Sequence, residues 1–303
     1  MFKILPFIIS LLLINSQEKS NQKLVAFTSD NPAERVVWER MRLADPATGE
    51  IPMNIRKKER VFAKTLPKSS VLSKANWVHR GPYNVGGRTR ALAIDVLDEN
   101  ILFAGGASGG MFRSIDGGQS WSMTTNPNQL HNVTCVSQDR RLGKENIWYF
   151  GSGELTGSSA SGGEAYYGGN GIYKSVDGGL SWDSLTVTAT NTNGFDSNFD
   201  FIWNIETDPS NDSLDVVYAA TYGAIYRSED GGDSWVKELG NSNSASYYNN
   251  VEVTSIGVVY AALSSDGTDK GIWRSIDGQN WTNITDSLFP PVYGRIAIGV
   301  NPS

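Results

Sequence analysis

Ser114-Ile115-Asp116-Gly117-Gly118-Gln119-Ser120-Trp121 returns as Ser175-Val176-Asp177-Gly178-Gly179-Leu180-Ser181-Trp182 and as Ser228-Glu229-Asp230-Gly231-Gly232-Asp233-Ser234-Trp235. A fourth copy, Ser275-Ile276-Asp277-Gly278-Gln279-Asn280-Trp281, is one residue shorter. The pattern reads as a tight hairpin. Glycine supplies the positive-φ positions that such a turn needs. The Ser hydroxyl and Asp carboxylate can satisfy backbone N–H groups inside it. The closing Trp offers a large flat surface to bury between neighbouring sheets.

Each copy follows a short aromatic-rich strand: Met111-Phe112-Arg113, Ile172-Tyr173-Lys174, Ile225-Tyr226-Arg227 and Ile272-Trp273-Arg274. Earlier still stand Leu102-Phe103-Ala104, Trp148-Tyr149-Phe150, Val217-Tyr218-Ala219 and Val259-Tyr260-Ala261. Repeats about 50 residues apart, each with several strands, predict an all-β propeller. The 32 glycines and 9 tryptophans suit that reading.

These turns resemble the Asp box of the bacterial neuraminidase repeat superfamily. That group includes sialidases, family-74 xyloglucan hydrolases, sortilin-type propellers and many secreted bacterial propellers. The resemblance covers residues 77–303, and Gly81-Pro82-Tyr83-Asn84-Val85-Gly86-Gly87-Arg88 is most similar to the secreted bacterial group. It implies four-stranded antiparallel blades with the box between the third and fourth strands. It makes Ser114, Asp116, Ser175, Asp177, Ser228, Asp230, Ser275 and Asp277 structural turn residues. Trp121, Trp182, Trp235 and Trp281 become core anchors.

On that template the blades run from Arg88 to Met123, Asn132 to Leu185, Phe201 to Glu238 and Asn250 to Thr285. Gly294 to Val300 is expected to start a fifth inner strand, and Trp77 to Arg80 to supply an outer strand that closes the ring. The expected propeller, residues 76–303, is therefore truncated in mid-blade. Residues 1–17 read as a signal peptide: Lys3, then an apolar run from Ile4 to Ile14 that is too short to span a bilayer comfortably. Residues 18–75 read as a leader with two helices, one opening at Asn31-Pro32 and ending at Asp45-Pro46, the other from near Pro52 toward Lys64. Cys135 is the one cysteine, so no internal disulfide forms.

Net charge is −6, divided unevenly. Residues 18–75 hold 12 Lys/Arg and 7 Asp/Glu, whereas residues 76–303 hold 13 and 25. An acidic main domain argues against nucleic acid as a partner. With 2 His and 1 Cys, a His/Cys zinc site is not expected, and no cofactor is. Asp208, Asn211, Asp212 and Asp215 form a calcium-like cluster that reads better as a surface turn.

The rim opposite the boxes is the expected binding face, because loops on a rigid scaffold carry recognition. Blade two has a long insertion there, Gly151 to Asn170, with Glu154, Glu164, Tyr166 and Tyr167. The strand topology puts Arg88, Arg90, His131, Trp203 and Arg295 near the central opening, and Tyr247 and Tyr248 on the connection before blade four. Aromatics with a few charges at a concave mouth suit a glycan or an extracellular protein. The expected molecule is an exported, non-catalytic binding propeller, secreted or at the cell surface, with no membrane span in the mature chain. The alternative is a xyloglucan-type hydrolase with carboxylates partly in missing sequence. The resemblance speaks against it in one respect, since Ala107 stands where family-74 enzymes carry a catalytic Asp. Arg88, Arg90 and Arg295 can be set beside the sialidase arginine triad, but no spacing supports the match.

Overall fold

The computed structural model describes residues 32–53, 55–66, 87–126, 128–129, 132–155, 167–192, 194–241 and 245–301. The expected signal segment, the Gly81–Gly86 motif, the expected Trp77–Arg80 strand, Glu164, and the site candidates His131 and Tyr166 lie outside them. Two helices come first, α1 (Pro32–Leu43) and α2 (Ile55–Thr65). Glu34 in the first turn of α1 and Arg40 and Arg42 in its last complement the helix dipole. Asp45 then turns the chain, its carboxylate accepting from Ala47 N at 2.8 Å.

Four antiparallel sheets follow, each a meander of four sequential strands. The first holds β1 (Thr89–Ile94), β2 (Leu102–Gly106), β3 (Gly110–Ser114) and β4 (Ser122–Met123). The second holds β5 (Val133–Gln138), β6 (Trp148–Ser152), β7 (Ile172–Ser175) and β8 (Asp183–Ser184). The third holds β9 (Ile202–Thr207), β10 (Val217–Thr221), β11 (Ala224–Ser228) and β12 (Val236–Leu239). The fourth holds β13 (Asn249–Val253), β14 (Val259–Leu263), β15 (Gly271–Ser275) and β16 (Trp281–Asn283). The leading strands β1, β5, β9 and β13 lie side by side. The sheets are blades of a β-propeller.

The repeated turn is held by its own side chains. Ser175 Oγ accepts from Gly179 N at 2.9 Å and donates to Asp177 Oδ1 at 2.7 Å. Asp177 then accepts from Ser181 N at 3.0 Å and Ser181 Oγ at 2.6 Å. The first and third copies repeat these bonds. In the short fourth copy Asn280 Nδ2 replaces the second serine hydroxyl, at 2.7 Å from Asp277 Oδ2. With Leu180 N at 3.0 Å, four donors reach Asp177, and three reach Asp116 and Asp230; such donors favour the ionised form. Hydrogen bonds from Ser120, side chain first and backbone second, hold Asp116 down at about 2. Gly178 and Gly179 take φ of 74° and 76°, and a Cβ on Gly179 would run into the Phe103 ring of the preceding blade.

Blades meet through aromatic and aliphatic layers. Phe103 and Trp148 are fully buried with ring centroids 4.3 Å apart between the first two blades. Tyr149, Ile172, Ile202 and Ile205 fill the next interface, and Tyr218, Ile225, Val251 and Leu263 the one after.

Two expectations need correction. The four box tryptophans are not equal anchors. Trp182 is 3% exposed and packs on Phe150 at 4.8 Å, while Trp121 is 40% exposed. Trp235 and Trp281 are partly buried against the blades before them. Each ring faces the preceding blade, and no described sheet stands before the first one; Leu92 and Ile94 are exposed on β1 as well. The expected fifth strand, 294–300, is irregular. It has no strand partner among the described residues, and Ile298 N donates to Asn250 Oδ1 at 3.0 Å.

Trp182→Ala should cost about 3–5 kcal/mol and Trp121→Ala about 1 kcal/mol or less, read from urea unfolding midpoints. Equal losses would contradict this packing order. Asp177→Ala strips a serine hydroxyl and three donors of their acceptor and should cost about 1–3 kcal/mol by the same measurement; an unchanged midpoint would remove the turn's structural role.

Candidate functional site

The repeated turns share a rim with the first hairpin of each blade. Gly117 N donates to Asn100 O at 3.0 Å, Gly178 N to Asn146 O at 3.0 Å and Gly231 N to Asp215 O at 2.8 Å. The other rim carries the links between second and third strands and the connections between blades. There Ala107 N donates to Arg88 O at 2.9 Å, Tyr222 N to Phe201 O at 2.8 Å and Ser264 N to Tyr248 O at 3.0 Å.

Six of the sequence-predicted residues come together on this second rim. The base of the blade-two insertion is pinned by reciprocal backbone bonds between Glu154 and Tyr167, at 2.8 and 2.9 Å. Asn132 Nδ2 adds a bond to Gly168 O at 2.7 Å. Gly153, at φ 88°, lets the chain pass against the Asp200 carbonyl, where a Cβ would collide. The Glu154 side chain is thereby held at 1% exposure. Arg88 grips its carboxylate with both guanidinium arms, one at 2.8 Å. Arg90 Nε lies 3.4 Å from Glu154 Oε1, an ion contact without hydrogen-bond alignment.

Trp203 lies within reach of two cations. The guanidinium carbons of Arg90 and Arg295 are 5.9 and 5.7 Å from its ring centroid, within cation–π range. Tyr248 tilts against the same ring at 5.0 Å. Two guanidiniums, those of Arg88 and Arg90, therefore share one carboxylate, and the third, Arg295, sits over Trp203. Burial first, and Arg90 second, press Arg295 below the ordinary guanidinium value. Arg295 makes no hydrogen bond or ion pair with a described residue, and the Trp203 indole N–H is buried without a partner. The cluster has surplus positive charge and spare donors, so it can receive an anion or a hydroxyl-rich group.

The other predicted residues lie apart. Tyr247 turns outward, stacking on Tyr222 at 5.5 Å, and Phe195 meets Tyr222 edge-on at 5.0 Å. Tyr167 contributes its backbone to the Glu154 bridge while its side chain stays largely exposed. Phe195 and Tyr222 were not singled out from the sequence; no repeat marks them, and only their place on rim connections could have done so. The calcium-like cluster is a turn. Asp208 caps Ser210, Asn211 accepts from Ser213 N and Leu214 N, and Asp215 pairs with Arg141 and Lys144. Among the described residues no group of acidic, His or Cys side chains could hold a metal, and no helix is long and apolar enough to cross a membrane.

An acidic pair lies on the leading strands, Glu206 on β9 and Glu252 on β13. Burial, reinforced by Glu252, raises Glu206 to about 8. Between its ordinary value of 4.5 and about 8 the folded chain keeps a proton that the unfolded chain releases. Stability therefore falls as pH rises through that window. Glu206→Gln should match the wild type at about pH 4 and exceed it above about pH 8. Urea midpoints at both pH values decide it, and parallel pH profiles would contradict the assignment.

No family model matches the chain. A xyloglucanase from Paenibacillus sp is 25% identical over 328 aligned residues, covering 91% of this chain and 30% of the relative. The chain thus spans under a third of that protein. Among solved structures, an ancestral GH74 enzyme superimposes with a TM-score of 0.51 at 21% identity, over 68% of this chain and 26% of that one. An auxiliary nutrient binding protein from Bacteroides thetaiotaomicron reaches 0.43 at 14% identity, over 65% and 41%. The chain is a β-propeller, similar in fold to propellers of the glycoside-hydrolase type.

Proposed function

We propose that this chain is an exported, non-catalytic Asp-box propeller that binds a glycan through the rim opposite its box turns. The observation that carries the reading is the mouth cluster. Arg88 and Arg90 are fixed on Glu154, and among the described residues neither the Arg295 guanidinium beside Trp203 nor the Trp203 N–H has a hydrogen-bond partner. Preorganised donors converging on one spot are what a polar ligand needs. The charge surplus favours a glycan bearing carboxylates over a neutral one. The distant likeness to a xyloglucanase supports polysaccharide as the ligand class.

Hydrolysis is the competing reading, and the same likeness favours it. Glycoside hydrolysis uses two carboxyl groups flanking the scissile bond. Here Ala107 is buried where the family-74 resemblance implies a catalytic Asp. Three of the described rim carboxylates are tied up in structural bonds: Glu154 by Arg88, Asp200 by the backbone N–H groups of Asp196 and Ser197, Asp266 by Tyr247 N and Ser264 Oγ. These ties argue for binding without turnover.

Calorimetric titration with polygalacturonate tests the reading. Arg295→Gln should weaken binding about tenfold, the loss of one charge-assisted contact, without lowering the melting temperature. Gln119→Ala and Asp233→Ala, on the box rim, should leave affinity unchanged. Loss of binding from the box-rim changes would place the site at the wrong end. Release of reducing sugar from xyloglucan or polygalacturonate, abolished by a rim carboxylate substitution, would establish the hydrolase instead.

A further inference from the structure

Away from the mouth, the same rim carries an aromatic row. Phe195, on the connection between the second and third blades, is 49% exposed, and its ring lies 5.2 Å from Phe201 and 5.0 Å from Tyr222. Tyr222 stacks in turn on Tyr247, which keeps 45% of its surface open. Large exposed aromatics in a contiguous row are unusual on a chain with this much buried aromatic surface, and they mark interaction sites.

Phe195 also divides two cavities. One, of about 570 Å³, lies between the helical segment and blades two and three, with Leu43, Ile51 and Met53 as its apolar side. The other, of about 590 Å³, is lined by Phe195, Asn198, Tyr222 and Asn241. On the propeller side of the first cavity the polar groups are fixed in advance. Asn170 and Asn191 bond reciprocally, Asn170 Nδ2 to Asn191 Oδ1 at 3.1 Å and Asn191 N to Asn170 Oδ1 at 2.9 Å. Asn191 holds φ 57°, a left-handed conformation that Asn tolerates.

We infer that this groove is a second glycan subsite, in which neutral sugar rings lie against Phe195 and Tyr222 in the two cavities. The inference rests on the glycan reading of the rim but uses none of the mouth residues. Its physical basis is the pairing of surfaces. A pyranose ring presents an apolar C–H face and a hydroxyl edge. The groove presents an aromatic partition and an apolar wall beside fixed amides. A protein partner would meet the same aromatic row, but two clefts walled by amides suit repeated small polar rings better than a flat epitope. The lining is mostly uncharged, with Lys57 and Asp200 the exceptions, so the subsite selects mainly by ring shape where the mouth selects by charge.

The test is calorimetric titration of the full chain with cellohexaose, with polygalacturonate and with a polyglutamate peptide. Phe195→Leu keeps most of the volume and removes the ring, and Phe195→Tyr restores it. Cellohexaose affinity should fall about tenfold or more in Phe195→Leu, recover in Phe195→Tyr and be untouched in Arg295→Gln. Unaltered melting temperatures guard against misfolding. If Arg295→Gln weakens polygalacturonate binding while cellohexaose fails to bind, or binds Phe195→Leu equally well, the mouth stands and the groove is wrong. If Phe195→Leu alone loses cellohexaose, the groove stands without the mouth. Binding of polyglutamate through Phe195, with no sugar bound, would make the groove a protein site and overturn the inference.

Discussion

The constraint on which the rest depends is the hydrogen-bonded closure of the Ser-x-Asp-Gly turn. One carboxylate gathers a hydroxyl and backbone N–H from the second serine and a hydroxyl from the first. The carboxylate needs no partner from outside the turn, so each box closes locally. Glycines at positive φ bring the turn backbone against the neighbouring blade, as Gly179 does against Phe103. Every copy thereby becomes short and nearly identical. One rim is committed to structure, and variation is confined to the other.

Blade-to-blade packing extends that local order. A box tryptophan is an anchor only when a blade lies on its far side, as the contrast between Trp182 and Trp121 shows. The leading strands then carry two kinds of side chain. Ile202, Ile205 and Val251 fill the interfaces, whereas Arg90, Trp203, Glu206 and Glu252 bring polar or aromatic groups to the inner part of the ring. At the rim they create a cation-rich mouth in an otherwise acidic domain. Farther along the same strands, burial, reinforced by Glu252, lets Glu206 hold its proton near neutrality.

The sequence made the blades legible because the repeat sets a ruler. The expected spans of all four agree with the sheets to within two residues at either end, since the turn and its preceding aromatic strand recur in each. The mouth was legible by topology, which put Arg88, Arg90, Glu154, Trp203, Tyr248 and Arg295 on one rim. Their pairing was not: Arg88 and Glu154 are 66 residues apart, and only the pinned insertion brings them together. Tyr247 and Tyr248 read as one feature, yet neighbouring residues leading into a strand point opposite ways, and they separate into groove and mouth. Phe195 and Tyr222 carry no repeat signature, so their ring contacts appear only in three dimensions. Burial of Trp121 could not be read from its motif, because burial belongs to the neighbour and not to the turn.

Division of labour between the rims is the central claim, and hydrogen–deuterium exchange with and without saturating polygalacturonate tests it most directly. The account predicts slowed exchange in peptides covering residues 88–90, 201–204, 247–249 and 293–296. Peptides covering 114–121, 175–182, 228–235 and 275–281 should be unchanged. Protection confined to the four turn peptides would contradict it.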